Sequence, residues 1–175
     1  MKKIFLIAIT FIFASTANAQ DTKFGLTAGY LNVEATESYM GMDVSADASG
    51  FYAGVLVDVP LSGSFHLEPA VIYGNAEELN LLFVPVLAKY YISESGFSLL
   101  AGPQGTIILD EVGNNVNTFG VDLTFGASYD ITENFFLQAR YSFELTNRTN
   151  NDLEGMPEDV DGSINSLLVG VGYKF

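Results

Sequence analysis

Apolar residues alternate with small or polar residues along most of this chain, with a period of two. In residues 163–175, one face carries five large apolar side chains: Leu167, Val169, Val171, Tyr173 and Phe175. The other face of that segment carries serine, glycine and lysine, and residues 117–130 and 134–146 repeat the pattern. Such alternation over ten or more residues predicts β-strands with one apolar and one polar face.

Eight segments of this kind can be identified, at residues 22–33, 50–60, 64–74, 80–92, 96–108, 117–130, 134–146 and 162–175. Short connections alternate with longer polar ones, the longer ones at 34–49, 75–79, 109–116 and 147–161. This alternation is typical of an up-and-down meander, and eight strands is the smallest usual number for a closed membrane barrel. The sequence therefore predicts an all-β fold, an eight-stranded antiparallel up-and-down transmembrane β-barrel.

Charge is distributed unequally between the two strand faces. The face with Phe24, Leu26 and Tyr30 has no charge, whereas the opposite faces hold glycine, serine, threonine and nearly all the strand charges. A soluble barrel would show the reverse, because its core is apolar and its surface is polar. We therefore expect the apolar face to point outward into hydrocarbon.

The inward charges predict an ion-pair network inside the barrel, formed by Asp58, Glu68, Lys89, Asp122, Arg140 and Glu144. In this interpretation Arg140 lies beside Asp122 and Lys174, and Glu68 lies beside Asp58 and Lys89. Buried unpaired charges cost several kcal/mol each, and small barrels are usually filled by side chains. We expect a plugged lumen that does not conduct; the alternative is that these charges line a wet channel.

The first 19 residues have the features of a secretory signal peptide. Lys2 and Lys3 precede an apolar run at 4–14, and Ala17-Asn18-Ala19 is an A-x-A cleavage site. The apolar run is shorter than the ~20 residues that a membrane-spanning helix needs. We expect an exported protein whose mature barrel domain comprises residues 20–175.

Composition excludes several classes of function. The chain has 21 acidic and 7 basic residues, a formal charge of −14, which disfavours binding to nucleic-acid phosphates. It has no cysteine, so thiolate metal sites and a cysteine nucleophile are excluded. The single histidine, His66, falls on the inward face beside a short turn, without a serine partner. We expect His66 to be a hydrogen-bonded lumen residue and the protein to be neither an enzyme nor cofactor-dependent.

The long connections are strongly acidic, and Arg148 is their only base. Residues 150–162 offer hard oxygen ligands that suit Ca²⁺ or Mg²⁺, although their spacing does not match an EF-hand loop. Two alternatives stay open: a solvated acidic loop, and divalent cations that bridge these acids to lipopolysaccharide phosphates.

These segments together resemble the small outer-membrane β-barrel proteins of Bacteroidetes-like bacteria, akin to OmpA and OmpX barrels and often labelled porins. KFGLTAGYLNV (23–33) resembles the family's opening strand, and FVPVLAKYY (83–91) with GFSLLAGPQG (96–105) its central hairpin. The resemblance covers 22–175. Pro69, Pro85 and Pro103 fall inside strands, where we expect bulges; the resemblance implies that Pro85 and Pro103 are family features. We expect a barrel without the peptidoglycan-binding domain of OmpA-type proteins, and therefore without a cell-wall tether.

The last strand, with Leu167, Val169, Val171, Tyr173 and Phe175, resembles the signal that the outer-membrane insertion machinery reads. We therefore expect a monomeric barrel in the lipid of the cell outer membrane, with a structural or surface-interaction role and acidic extracellular loops. One alternative is a narrow pore or transporter for small solutes, which the strand count disfavours. The other is a soluble secreted barrel that binds a small apolar ligand, which the face polarity disfavours. The sequence names no extracellular partner.

Overall fold

The computed structural model describes residues 22–39, 42–113, 116–148 and 160–175. The predicted signal peptide at 1–19 and most of the acidic stretch 150–162 lie outside the described residues. Within these ranges, no helix reaches the length and hydropathy that a membrane-spanning helix requires.

The described chain forms eight β-strands: β1 (Lys23–Tyr39), β2 (Met42–Ser62), β3 (Phe65–Ala76), β4 (Leu79–Tyr91), β5 (Phe97–Ile108), β6 (Phe119–Asp130), β7 (Phe135–Glu144) and β8 (Val160–Lys174). Each strand pairs antiparallel with the next, and β8 pairs with β1, so the sheet closes into a barrel. The predicted fold class is confirmed. We call the end with the β2–β3, β4–β5 and β6–β7 connections the turn end, and the opposite end the loop end.

The alternation of side chains places the large apolar residues on the outside of the barrel. On β1, Phe24 and Leu26 are 60% and 51% exposed, whereas Gly25 and Thr27 are buried. On β8, Val169 and Val171 are exposed in the same way. This outward apolar face is the one predicted from the sequence, and it suits hydrocarbon rather than water.

The interior is less polar than the sequence suggested. Towards the loop end, β1 to β4 and β8 bury an apolar cluster inside the barrel: Leu31, Val33, Tyr52, Leu56, Ile72, Leu81, Phe83 and Leu168. Inward glycines supply the volume, since a Cβ at Gly74 would lie 2.6 Å from Leu31 Cδ2. Large apolar residues therefore pack inside the barrel where glycines opposite them make room.

Two connections predicted as long loops are short. β1 and β2 continue through the predicted loop 34–49 and are separated by residues 40–41 alone, and β3 and β4 are joined by Glu77 and Glu78. Polar residues can also pair as strands. β1 and β2 therefore continue beyond the apolar band of the barrel as a ladder that ends at the pair Tyr39 and Met42. With β8 they form a three-stranded extension, defined as residues 33–39, 42–49 and 160–166.

Pro69, Pro85 and Pro103 do not disturb the register of their strands. Pro69 pairs with Val86 and Pro85 with Gln104, in the same register as the residues on either side. In β2 and β3 a register shift lies instead between Pro60 and Ser62, beside the turn. The bulges expected at Pro69, Pro85 and Pro103 are therefore absent from the described pairings, because neighbouring ladder bonds hold each strand where one bond is lost.

Glu77 adopts a φ of 55°, a left-handed conformation that disfavours side chains with a Cβ. Glu77→Gly should therefore raise the free energy of unfolding by about 0.5–1 kcal/mol. Urea unfolding of the folded barrel in micelles measures the change. Glu78→Gly is the matched control, because Glu78 is not among the residues with positive φ. An equal gain at both positions would contradict the interpretation.

Candidate functional site

Lys89 is the centre of a buried charged cluster near the turn end of the lumen. Its Nζ lies 3.0 Å from Glu68 Oε2 and 3.4 Å from Asp58 Oδ2. These residues come from β4, β3 and β2, and the register sets His66 beside both Pro60 and Lys89. All three charged side chains are nearly inaccessible, so each needs the others to offset the cost of leaving water.

A second base extends this cluster towards β6 and β8. Lys174 Nζ lies 2.8 Å from Asp130 Oδ2, and the Tyr91 hydroxyl lies 3.2 Å from Asp58 Oδ2. From β7, across the lumen from β3, Gln138 Nε2 donates to Glu68 Oε1 at 2.9 Å. We call these residues the turn-end cluster: Asp58, His66, Glu68, Lys89, Tyr91, Asp130, Gln138 and Lys174. The cluster joins β2, β3, β4, β6, β7 and β8 across the lumen.

His66 is part of the turn-end cluster. Its Nδ1 lies 2.5 Å from Asp58 Oδ1, and its ring meets the edge of the Tyr91 ring at a centroid distance of 4.8 Å. These contacts fit a structural lumen histidine, as expected from the sequence.

Arg148 closes the lumen at the loop end. Its Nε donates to Glu144 Oε1 at 2.5 Å, and its Nη1 donates to the carbonyls of Thr118 and Asn117 at 3.0 and 3.3 Å. The second Glu144 oxygen accepts from the Ile164 N–H at 2.6 Å. We call Glu144, Arg148 and the carbonyls that Arg148 holds the Arg148 clasp.

The clasp depends on a glycine in β6. A Cβ at Gly120 would lie 1.9 Å from Glu144 Oε1 and 2.6 Å from Arg148 Nη2, so a side chain at this position would displace the clasp. Sequence reasoning counted Arg148 as a loop residue and missed the clasp. A signal was present, since Arg148 is the only base in acidic connections and follows Glu144 by four residues.

Arg140 and Asp122 do not join the predicted network. Asp122 pairs in register with Glu144, whereas Arg140 pairs with Gly126, four residues further along β6. Asp122 Oδ2 accepts from Gln104 Nε2 at 2.8 Å and also from Thr106 Oγ1. Both terminal nitrogens of Arg140 are buried without a hydrogen-bond partner.

The lumen therefore contains separate groups rather than one network. The predicted grouping of Glu68 with Asp58 and Lys89 occurs, while the predicted placement of Arg140 beside Asp122 and Lys174 does not. The reason is that strand order can be inferred from the sequence, but the residue-by-residue register of neighbouring strands cannot.

No group of three or more His, Asp or Glu side chains suited to a metal ion occurs in the described ranges. The stretch 150–162, which suggested Ca²⁺ or Mg²⁺, lies largely outside them.

Asp110 anchors the β5–β6 connection at the loop end. Its carboxylate accepts from the Asn80 N–H at 2.6 Å and from Asn80 Nδ2 at 2.8 Å. Asn80 Oδ1 in turn accepts from the Tyr73 hydroxyl at 2.5 Å. The bonds from Asn80 favour the charged carboxylate and hold the pKa of Asp110 below its usual value.

Protection of the β5–β6 connection from hydrogen exchange should therefore depend on pH. Because the folded-state pKa of Asp110 is lowered, its contribution is complete above the usual aspartate pKa and is lost as the pH falls through the lowered value. Hydrogen exchange at 109–113 across this acidic range measures the effect. Asp110→Asn should remove this pH dependence, whereas Glu111→Gln, a change at the exposed neighbour, should preserve it. If protection depends on pH in the same way in Asp110→Asn and Glu111→Gln, the role assigned to Asp110 is wrong.

Comparisons with known proteins agree with this architecture. Residues 77–150 match the family described as outer membrane protein beta-barrel domain. The crystal structure of Neisserial surface protein A is 18% identical with a TM-score of 0.52, and the match covers 87% of this chain and 97% of that one. Ail, the attachment invasion locus protein of Yersinia pestis, is 14% identical with a TM-score of 0.51, over 89% of this chain and 100% of that one. No curated protein sequence matches the chain.

At these identities the two solved structures are similar to this chain in fold. The family match, the closed barrel and its apolar exterior together place the chain in the cell outer membrane, as a β-barrel protein.

Proposed function

We propose that this outer-membrane β-barrel is a non-catalytic protein with a structural or surface-interaction role, and that its three-stranded extension binds an extracellular partner. The observation that carries the proposal is the edge of β2. β3 ends at Ala76, which pairs with Gly50, so no described strand covers this side of residues 42–49. An uncovered strand edge presents unpaired backbone N–H and C=O groups to which an extended segment can add.

The charge of the extension indicates the kind of partner. Its five acids are Glu34, Glu37, Asp43, Asp47 and Asp161, and its residue ranges include no lysine or arginine. Opposite charge speeds encounter and disfavours wrong partners. The extension therefore favours an extended segment of a protein that carries lysine or arginine.

The names of the two similar structures are consistent with this proposal. One is called a surface protein and the other an attachment invasion locus protein. The proposal extends to a Bacteroidetes-like source, which rests on the strand motifs at 23–33, 83–91 and 96–105.

A barrel with shortened β1–β2 strands tests the binding role. Deletion of residues 36–45, with a two-residue Asn-Gly turn joining Ala35 to Ala46, removes half of the uncovered β2 edge with its β1 partners and leaves the pairing of Gly50 with Ala76 in place. A lysine-flanked, threonine- and valine-rich peptide serves as the probe for the wild-type barrel in nanodiscs. Saturable binding that weakens with salt and shifts the amide signals of 42–49 is expected for wild type alone. Equal binding by the shortened barrel would refute the proposal.

The same proposal orients the barrel with its loop end outside the cell. An epitope inserted near Asn151 should be reachable by antibody on intact cells, and one inserted at Ser62 should not. Labelling at Ser62 on intact cells would invert this orientation.

A second candidate, a narrow pore for small solutes, is favoured by the polar inward face of β5, β6 and β7. The turn-end cluster and the Arg148 clasp argue against it, because they fill the lumen near both ends. Pure protein in a planar bilayer should therefore show no steady ion current. A stable, cation-selective conductance would favour the pore.

We further propose that the barrel acts as a monomer and that outer-membrane lipid surrounds it. The insertion machinery would recognise the last strand together with Phe175, which follows it, is exposed and packs edge-on against Tyr173. Divalent cations bound at the acidic connections are part of the same proposal, as is export directed by a signal peptide at 1–19.

A further inference from the structure

We propose that the lumen binds a small inorganic anion of the halide class at Arg140, between the turn-end cluster and the Arg148 clasp. This inference concerns the inside of the barrel and is independent of the proposed partner on the extension.

The state of Arg140 is the first observation. Its side chain is 2% exposed, and neither Nη1 nor Nη2 has a hydrogen-bond partner. The other buried lumen bases, Lys89, Arg148 and Lys174, each contact a carboxylate. Arg140 makes no ion pair among the described residues, and a guanidinium cannot lose its charge to escape burial. Its counter-charge must therefore come from elsewhere.

Other hydrogen-bond donors without partners lie in the same wall of the lumen. Ser98 Oγ and Ser128 Oγ are both buried and unpartnered. The register pairs Ser98 with Ser128 and Ser128 with Gln138, which is the inward residue next to Arg140 on β7. A guanidinium and two hydroxyls can all donate to one anion.

Gly126 explains why Arg140 is held against this wall. Gly126 pairs with Arg140 in register, and a Cβ there would lie 2.9 Å from Arg140 Cγ. The absence of a side chain leaves room for the Arg140 stem beside β6. In the register, Ser98, Ser128 and Gln138 form one row of inward residues. Gly126 and Arg140 belong to the neighbouring inward row.

The lumen acids have other partners. Asp58, Glu68 and Asp130 contact Lys89 or Lys174, and Glu144 contacts Arg148. Asp122 has one unpartnered oxygen, Oδ1, and is the acid that competes with an exogenous anion for Arg140. Its place in the register is two inward positions along β6 from Gly126.

Closure of the lumen at both ends limits which anion can enter. Buried side chains of the turn-end cluster and of the Arg148 clasp lie towards either end, and a monatomic ion passes them more readily than a larger oxyanion does. Gln138 Oε1, an acceptor without a partner, would bind a water of the ion's remaining hydration shell.

Chloride dependence of unfolding tests the proposal. The folded wild-type barrel in micelles is unfolded by urea in sodium chloride and in sodium gluconate at equal ionic strength. Chloride at about ten times its dissociation constant should lower the unfolding equilibrium constant about tenfold. Bromide-soaked crystals should show an anomalous peak beside Arg140. Unfolding that is the same in both salts, with no bromide peak, would overturn the proposal.

Variants separate an anion from a direct Arg140–Asp122 pair. Arg140→Gln should abolish the chloride effect and Ser128→Ala should weaken it, whereas Lys23→Gln, at the rim, should leave it unchanged. Asp122→Asn should retain the chloride effect of wild type. If Arg140 instead pairs with Asp122, wild type would show no chloride effect and Asp122→Asn would gain one. If Arg140→Gln does not fold, the wild-type salt comparison and Ser128→Ala still decide the question.

Discussion

Replacing Lys89 with methionine should lower the free energy of unfolding by about 3–5 kcal/mol. Lys89 lies within 3.4 Å of both Asp58 and Glu68, and all three side chains are almost fully buried. Because methionine fills a similar volume, the loss of stability measures the removal of the charge rather than the creation of a cavity. Two carboxylates would then share a water-poor region with no cation in contact with Glu68.

The chain has no tryptophan, so circular dichroism and the heat-dependent shift in gel mobility are suitable probes of unfolding. Lys23→Met is the matched control, because Lys23 lies at the rim with a long 3.4 Å bond to the Glu133 carbonyl. It should change stability by less than about 0.5 kcal/mol. Adding Glu68→Gln to Lys89→Met should restore part of the loss. A Lys89→Met barrel as stable as wild type would show that the carboxylates have other counter-charges.

Replacing Arg148 with methionine should cost about 3 kcal/mol and loosen the β5–β6 connection. The change leaves the buried Glu144 carboxylate without its cation and releases the carbonyls of Asn117 and Thr118. Urea unfolding measures the stability, and hydrogen exchange at 116–118 measures the loosening.

Arg148→Lys separates the charge of the clasp from its geometry. Lysine keeps the charge, but it lacks the planar fork that holds a carboxylate and two carbonyls together. We expect a loss of stability between those of wild type and Arg148→Met, with exchange at 116–118 still increased. If hydrogen exchange at 116–118 in Arg148→Lys is as slow as in wild type, the clasp acts only as an ion pair.

The sequence was sufficient to predict features that depend on alternation. The closed eight-stranded fold and the outward position of residues such as Phe24 and Leu26 follow from a period of two, because each strand has one face in lipid. Lys89 was assigned to the inside for a physical reason, the cost of a charge in hydrocarbon. Its position in the structure agrees with that reason.

Features that depend on register or on inward volume could not be predicted. Arg140 was paired with Asp122 because their strands are neighbours, yet the register sets them four residues apart. Leu31 and Phe83 pack inside because Gly74 leaves space, which no strand pattern reveals. In the stretch 34–49 one face is polar, with Glu34 opposite Asp47 and Thr36 opposite Ser45, and Val44 on the other face is 72% exposed. The pairing therefore comes from the backbone rather than from a buried side.

The lengths of the ladders also determine where the barrel is mechanically weakest. The seam that joins β1 to β8 runs from Gly25 paired with Lys174 to Tyr39 paired with Val160, through the whole three-stranded extension. The two ladders of β7 are shorter: β6 pairs with β7 from Asp122 to Asp130, and β7 pairs with β8 only from Phe135 to Ser142. Long ladders therefore hold β1 on both sides, to β2 and across the seam to β8. Under force or lateral pressure in the bilayer, the sheet should part beside β7, rather than at the seam between its first and last strands.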